Sequence, residues 1–240
     1  MNSNYFEELD PNKLKIFSDF DGTITMFDTW IEMGEHFIPD KEAWSEVIRS
    51  FENQEIGARE CFIRECQLIQ NFDISRFNGI IDAQRIDPVF HEFALYCRNK
   101  GIALTILSEG MDYYIKRILK NHGLDIPFYS NKIVFSSDKR SFSLEFPFSD
   151  SDCSKCGTSK RNILMNLTSD DEISVFIGDG FSDACVVNYA DIVFAKKSLA
   201  SYCWKNNITY HEYQTFGDIL KKTGRILESK NIRHRQAARL

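Results

Sequence analysis

Four short stretches of this sequence hold residue types that do chemistry on phosphate. The first is Asp19-Phe20-Asp21-Gly22-Thr23. Leu14 to Ser18, just before it, reads as a short apolar strand. Strand alternation then places both carboxylates on one side of the chain. Two such carboxylates attract a divalent cation, and one can stay ionised while the other holds a proton. Gly22 permits a tight turn. A polar turn with two solvated acids is the plain alternative. A calcium loop fails, because its acidic twelfth position is Trp30 here.

The second stretch is Gly178-Asp179-Gly180-Phe181-Ser182-Asp183, after an apolar run ending at Ile177. A dinucleotide loop needs glycine where Asp183 stands, and that charge would face a pyrophosphate. A metal site fits better. The third is Ser108 with Gly110, after the run 102–107. A hydroxyl and free amides at a helix start would hold an anion. The fourth is Lys160, a compact cation opening the helix before strand 173–177. Alone, Ser108 reads as a cap and Lys160 as a surface lysine; order and position give them meaning.

Those positions need a sheet to carry them. Strands are expected at 14–18, 102–107, 173–177 and 192–194, with a hairpin from 132–135 to 142–146. Helices are expected from Asp87-Pro88 to Asn99, around Met111, Tyr114, Ile115 and Ile118, at 160–167, and at 216–227. This alternation predicts an α/β fold, a doubly wound parallel sheet. Residues 27–85 read as helix throughout; Trp44, Val47, Ile48 and Phe51 share one face. The expected division is a catalytic core of 1–26 and 86–240, with 27–85 as a helical cap over the sheet's carboxyl edge. A helical hairpin packed into the same core is the alternative.

The whole chain of 240 residues carries 29 Lys+Arg against 35 Asp+Glu, a formal net charge of −6. That argues against broad nucleic-acid binding. The basic tail Arg233, His234, Arg235 and Arg239 reads as a solvated end. No apolar run reaches the roughly 18 residues of a membrane span, and the acidic start does not resemble a signal peptide. Seven cysteines, an odd number, suit a reducing cytoplasm better than a disulfide framework. Cys153 and Cys156 form a lone C-x-x-C, short of the four ligands of structural zinc, and read as a packed loop.

The four stretches together resemble the haloacid dehalogenase superfamily of phosphatases. Its D-x-D-x-T motif matches residues 19–23, its Ser/Thr matches Ser108, its lysine matches Lys160, and its G-D-G-x-x-D matches 178–183. A helical insertion after the first motif is similar to the phosphoserine phosphatase branch. Cys153 to Lys160, Ser108-Glu109-Gly110-Met111-Asp112 and Ala190 to Ala195 resemble the methionine-salvage phosphatases. Those act on 2-hydroxy-3-keto-5-methylthiopentenyl-1-phosphate. Glu109 stands where they carry glycine, and Thr158 where they often carry cysteine.

The resemblance implies Mg2+-dependent hydrolysis of a small phosphate monoester. It implies Asp19 as nucleophile, Asp21 as acid and base, and Ser108 and Lys160 on the phosphoryl group. Gly22, Thr23, Glu109 and Gly110 would contact substrate. Asp19, Asp21 (through its carbonyl) and Asp179 would hold the metal, with Asp183 behind them. Phe27, Asp28, Glu32, Arg59 and Arg64 are the cap residues expected to read the leaving group. A phosphoserine-type or broad metabolite phosphatase is the near alternative. A phospho-accepting receiver or a non-catalytic binding module is the distant one. The second acidic stretch and the helical insertion argue against a receiver.

Overall fold

The computed structural model describes residues 9–151 and 155–228. Leu14–Ser18 forms β1. Its apolar residues suit a central strand, buried on both faces. The chain then turns through Asp19–Thr25 into a helical block: α1 (Thr29–Phe37), α2 (Lys41–Glu52), α3 (Ala58–Leu68) and α4 (Ile74–Asp82). Asp28, Asp40 and Asp73 start α1, α2 and α4 by accepting backbone N–H bonds, which satisfies donors that a helix start leaves open.

Next come α5 (Phe90–Lys100), β2 (Ala103–Met111), α6 (Asp112–Asn121), and the antiparallel β3 (Phe128–Phe135) and β4 (Phe142–Glu145). α7 (Lys160–Asn166), β5 (Ile173–Gly178), β6 (Ile192–Ala195), α8 (Lys197–Lys205), β7 (His211–Glu212) and α9 (Phe216–Leu227) complete the described chain. The sheet order is β4-β3-β2-β1-β5-β6-β7, parallel except for β4. This is the doubly wound α/β fold expected from the sequence.

Alternation along the strands divides the core. Phe17, Phe176 and Val193 join Ile163, Leu164, Leu199 and Cys203 on one face. Ile16, Val175, Ile177 and Phe194 join Phe90, Phe93, Ile115 and Phe216 on the other. Trp30, Met33, Phe37 and Phe77 of the helical block belong to that second cluster. The block is tied down by more than apolar contact. Arg117 of α6 pairs with Asp82 at 2.6 Å, and Tyr113 donates to Asn78 at 2.7 Å. Phe72 packs on Phe142 of β4 with ring centroids 4.8 Å apart. The chain enters and leaves the block side by side: Thr25 bridges Ile86, and Met26 N donates to the Arg85 carbonyl at 2.9 Å.

Three local expectations need correction. β2 runs on to Met111, so Ser108 and Gly110 lie in the tail of a strand and not at a helix start. The apolar run ends at Leu107, but pairing of Met111 with Asn131 keeps the backbone extended. α8 and the two-residue β7 lie where the sequence reading placed nothing. The helix after Asp87-Pro88 begins at Phe90, with Asp87 Oδ1 accepting the Val89 N–H at 2.8 Å. Cys153 and the basic tail lie outside the described residues.

Candidate active site

Carboxyl ends of parallel strands bring the chemistry together. β1 delivers Asp19 and Asp21, β2 delivers Ser108, and β5 delivers Asp179 with Asp183 one short turn later. Lys160 arrives as the first residue of α7, whose start Ser159 caps. Its ammonium is fully buried and donates to Asp19 Oδ1 and Asp183 Oδ1, both at 2.6 Å. The second oxygen of Asp183 accepts from the amides of Asp179 (3.1 Å) and Gly180 (3.3 Å).

Ligand atoms of Asp19, Asp179 and Asp183 lie within 4.8 Å of one another. Three carboxylates against the one Lys160 ammonium leave an excess of negative charge in a buried place. Burial, followed by repulsion from Asp183, pushes the Asp19 carboxyl well above its usual range. Burial alone would lower Lys160, but the charges of Asp183 and Asp19 outweigh it and hold the ammonium protonated. Such an oxygen-rich, over-charged set suits a hard divalent cation. Lys197 supplies a further counter-charge: its ammonium meets Asp179 Oδ2 at 2.8 Å and the Gly22 carbonyl at 3.3 Å. Its backbone sits at φ +49°, in the left-handed region unusual for a non-glycine residue.

Asp21 is separate from that cluster. Its Oδ2 accepts from the Tyr114 hydroxyl at 2.7 Å and its Oδ1 from the Thr29 amide at 3.0 Å. Withdrawal from water raises its pKa, against the lowering effect of these two bonds. Two glycines are needed for space. A β-carbon on Gly22 (φ +73°) would stand 2.6 Å from Asp179 Oδ2, and one on Gly110 2.0 Å from the Tyr114 hydroxyl. Thr23 donates to Asp179 Oδ1 at 3.2 Å, bracing that carboxylate. The Ser108 hydroxyl is buried and accepts from the Gly110 amide at 2.8 Å.

Glu109 fills the place of a glycine with a structural carboxylate. One oxygen accepts the Gly157 and Thr158 amides, each at 3.0 Å, so the side chain ties the end of β2 to the loop that leads into Lys160. Asn131 donates to the Glu109 carbonyl, and Thr158 donates to Asn131 at 2.9 Å. Cys156 lies in this loop with its sulfur 3.8 Å from that of Cys185.

Above the carboxylates opens a cleft of about 310 Å3, roofed by α1, α2 and α3. Of the five expected cap residues, Asp28 lines it. Asp28 keeps solvent contact through the cleft mouth; partial withdrawal from water, and then the charge of Asp21, raise its carboxyl to about 7. Phe27 is exposed and lies off the lining. Glu32 is bonded by Gln84 on another face of the block. Arg59 covers the Phe146 ring at 5.1 Å, and Arg64 is held by Glu60 at 2.8 Å. Sequence reasoning missed Tyr114, Lys197 and Glu65. Glu65 is 2% exposed and accepts from Trp30 Nε1 and Trp44 Nε1, both at 2.8 Å.

Comparison with known proteins agrees with this geometry. Residues 16–187 match the model of the haloacid dehalogenase-like hydrolases. A 2-hydroxy-3-keto-5-methylthiopentenyl-1-phosphate phosphatase from Bacillus cereus (strain B4264) is 31% identical over 222 residues, covering 90% of this chain and 99% of its own. The protein of that name from Bacillus mycoides (strain KBAB4) is 29% identical over 221 residues, with the same coverage. A phospho-aspartyl intermediate analogue of phosphoserine phosphatase shares the fold, with a TM-score of 0.69 at 18% identity over 87% of this chain and 97% of that one. Among the described residues no helix is long and apolar enough to cross a membrane. With the family model spanning most of the chain and the relatives matching it almost end to end, the protein belongs to the haloacid dehalogenase-like hydrolases and is a phosphatase.

Proposed function

We propose that this phosphatase hydrolyses a small phosphate monoester through an aspartyl-phosphate on Asp19. The observation that carries this reading is the buried Asp19 carboxylate at the cleft floor, with one oxygen fixed by Lys160 and the other left for attack. Attack of that oxygen on phosphorus forms the aspartyl bond as the ester P–O bond breaks. Asp21, held by Tyr114 and the Thr29 amide, donates its proton to the departing oxygen. It then takes a proton from the water that cleaves the aspartyl-phosphate, releasing inorganic phosphate and restoring Asp19. Lys160 and the Ser108 hydroxyl are assigned to the phosphoryl oxygens, with the Gly110 amide holding Ser108 Oγ and Gly22 and Thr23 shaping the turn beneath them.

Asp19, Asp179 and the Asp21 carbonyl are assigned as magnesium ligands, with Asp183 fixing Lys160 and the Asp179 backbone from behind. Bound magnesium would screen the repulsion between an anionic nucleophile and an anionic substrate. We assign residues 27–85 as a cap over a core of 1–26 and 86–240; the single bridge that joins the entering and leaving chain at Thr25 and Ile86 supports this division. The enol phosphate named for the Bacillus relatives is the substrate we assign first, because those relatives match nearly the whole chain.

Phosphate release with and without magnesium tests this reading. The panel is phosphoserine, an aryl phosphate, and the enol phosphate made in place by upstream enzymes. Magnesium-dependent release with preference for the enol phosphate is expected. Activity spread evenly over the panel rejects that substrate. No release from any ester rejects the reading itself.

A further inference from the structure

Among the described residues, the leaving-group half of the cleft is built without a counter-charge for an anion. Trp30, Ile48, Phe51 and Phe62 form its wall, and its acids are Asp28, Glu65 and, at the exposed rim, Glu52. Burial pushes the Glu65 carboxyl up, against the two indole N–H bonds that favour its charged form and bring no positive charge of their own. Asp28 spends one oxygen on the amides of Trp30 and Ile31, at 2.9 and 3.0 Å.

No cation of the helical block lines this space. Lys41 is on Glu35, Arg59 on Phe146, Arg64 on Glu60 and Arg76 on Phe37 and His36. Arg49 and Arg85 are likewise absent from the lining. Among the described residues the lysine that does line the cleft is Lys197, engaged with Asp179 at the phosphate end.

We propose that this half of the cleft is a charge filter. It admits phosphate esters whose leaving alcohol is neutral or cationic with an apolar body, and rejects those whose alcohol carries a carboxylate or a second phosphate. Asp28 and Glu65 are its specificity-determining residues. A carboxylate entering here loses water against an apolar wall and meets acids that no cation of the helical block offsets. The filter rests on the small-monoester reading above and adds the charge class of the leaving group to it.

The test is kcat/KM for two matched pairs at about pH 8.5, above the Asp28 carboxyl raised to about 7. The pairs are phosphoserine with phosphoethanolamine, and phosphoglycolate with ethyl phosphate; each differs by one carboxylate. An aryl phosphate serves as control. The carboxylate member of each pair should be slower by on the order of tenfold to a hundredfold, the scale of uncompensated like charges in a cleft. Asp28→Asn, which preserves the helix cap, and Glu65→Gln should each narrow the phosphoglycolate to ethyl phosphate ratio severalfold. Turnover of the aryl phosphate without slower carboxylate members overturns the filter. So does a ratio that Asp28→Asn leaves unchanged, whether or not Glu65→Gln folds. Failure on every ester, the aryl control included, instead removes the small-monoester reading beneath it.

Discussion

The floor of the cleft and its roof handle buried charge in different ways. At the floor, Lys160 sits between Asp19 and Asp183, Asp183 also takes two backbone amides, and Lys197 meets Asp179. Attraction between opposite charges organises that region, with an excess of carboxylate left over. In the roof, Glu65 has no cation among the described residues and is held by two indole N–H groups inside an apolar wall. In the reading proposed above, the floor meets a phosphoryl group, which is anionic in any substrate, and the roof meets a variable leaving group. That reading assigns chemistry and selectivity to different elements: strand ends below, helices α1–α3 above.

Changes at the floor should cost most. Asp19→Asn keeps shape and removes the proposed nucleophile; turnover should drop by at least about 10⁴-fold, the scale seen when a catalytic nucleophile is lost, with an unchanged circular dichroism spectrum. Substantial residual turnover would remove Asp19 from the role. Lys160→Met leaves Asp19 and Asp183 buried without their shared cation. It should abolish activity and lower unfolding free energy by about 3–5 kcal/mol, as for other broken buried pairs. Urea denaturation measures this, and a variant as stable as the parent would contradict the pairing.

Smaller effects sharpen the boundary between the two regions. Asp21→Asn should slow turnover by about 10²–10⁴-fold through loss of acid–base help. Tyr114→Phe should do less, but in a telling direction. The Tyr114 hydroxyl favours the charged form of Asp21, so removing it raises the Asp21 pKa further. Activity that needs protonated Asp21 falls as pH rises through that pKa, so the alkaline limb of the kcat profile should move to higher pH. A limb that stays in place would separate Tyr114 from the proton transfer. Glu109→Ala strands the Gly157 and Thr158 amides and should cost about 1–3 kcal/mol of stability, read by the same denaturation experiment. An unaltered midpoint would show that the Lys160 loop stands without this tie.

The floor was legible in the sequence because its residues come in contiguous motifs at the ends of apolar runs, as with residues 19–23 and 178–183. Position along a strand is a local property, and alternation carries it. The roof was not. Glu65 meets Trp30 and Trp44, which lie 35 and 21 residues away, and no spacing rule joins them. Tyr114 was visible as one member of a helical stripe, but its hydroxyl reaches Asp21 across 93 positions. Arg59 and Arg64 had the right type for reading a substrate, yet a ring and a neighbouring glutamate hold them elsewhere. The end of β2 was set too early because Ser108-Glu109-Gly110 is polar, while the strand is continued by pairing with β3.

Covalent phosphorylation of Asp19 is the central claim, and rapid acid quench during turnover tests it directly. Peptide mass spectrometry of the quenched enzyme should show a gain of about 80 Da on Asp19, the mass of one phosphoryl group in an acyl-phosphate intermediate, absent from Asp19→Asn. Steady turnover with Asp19 unmodified, or with the phosphoryl group on another side chain, would contradict the account.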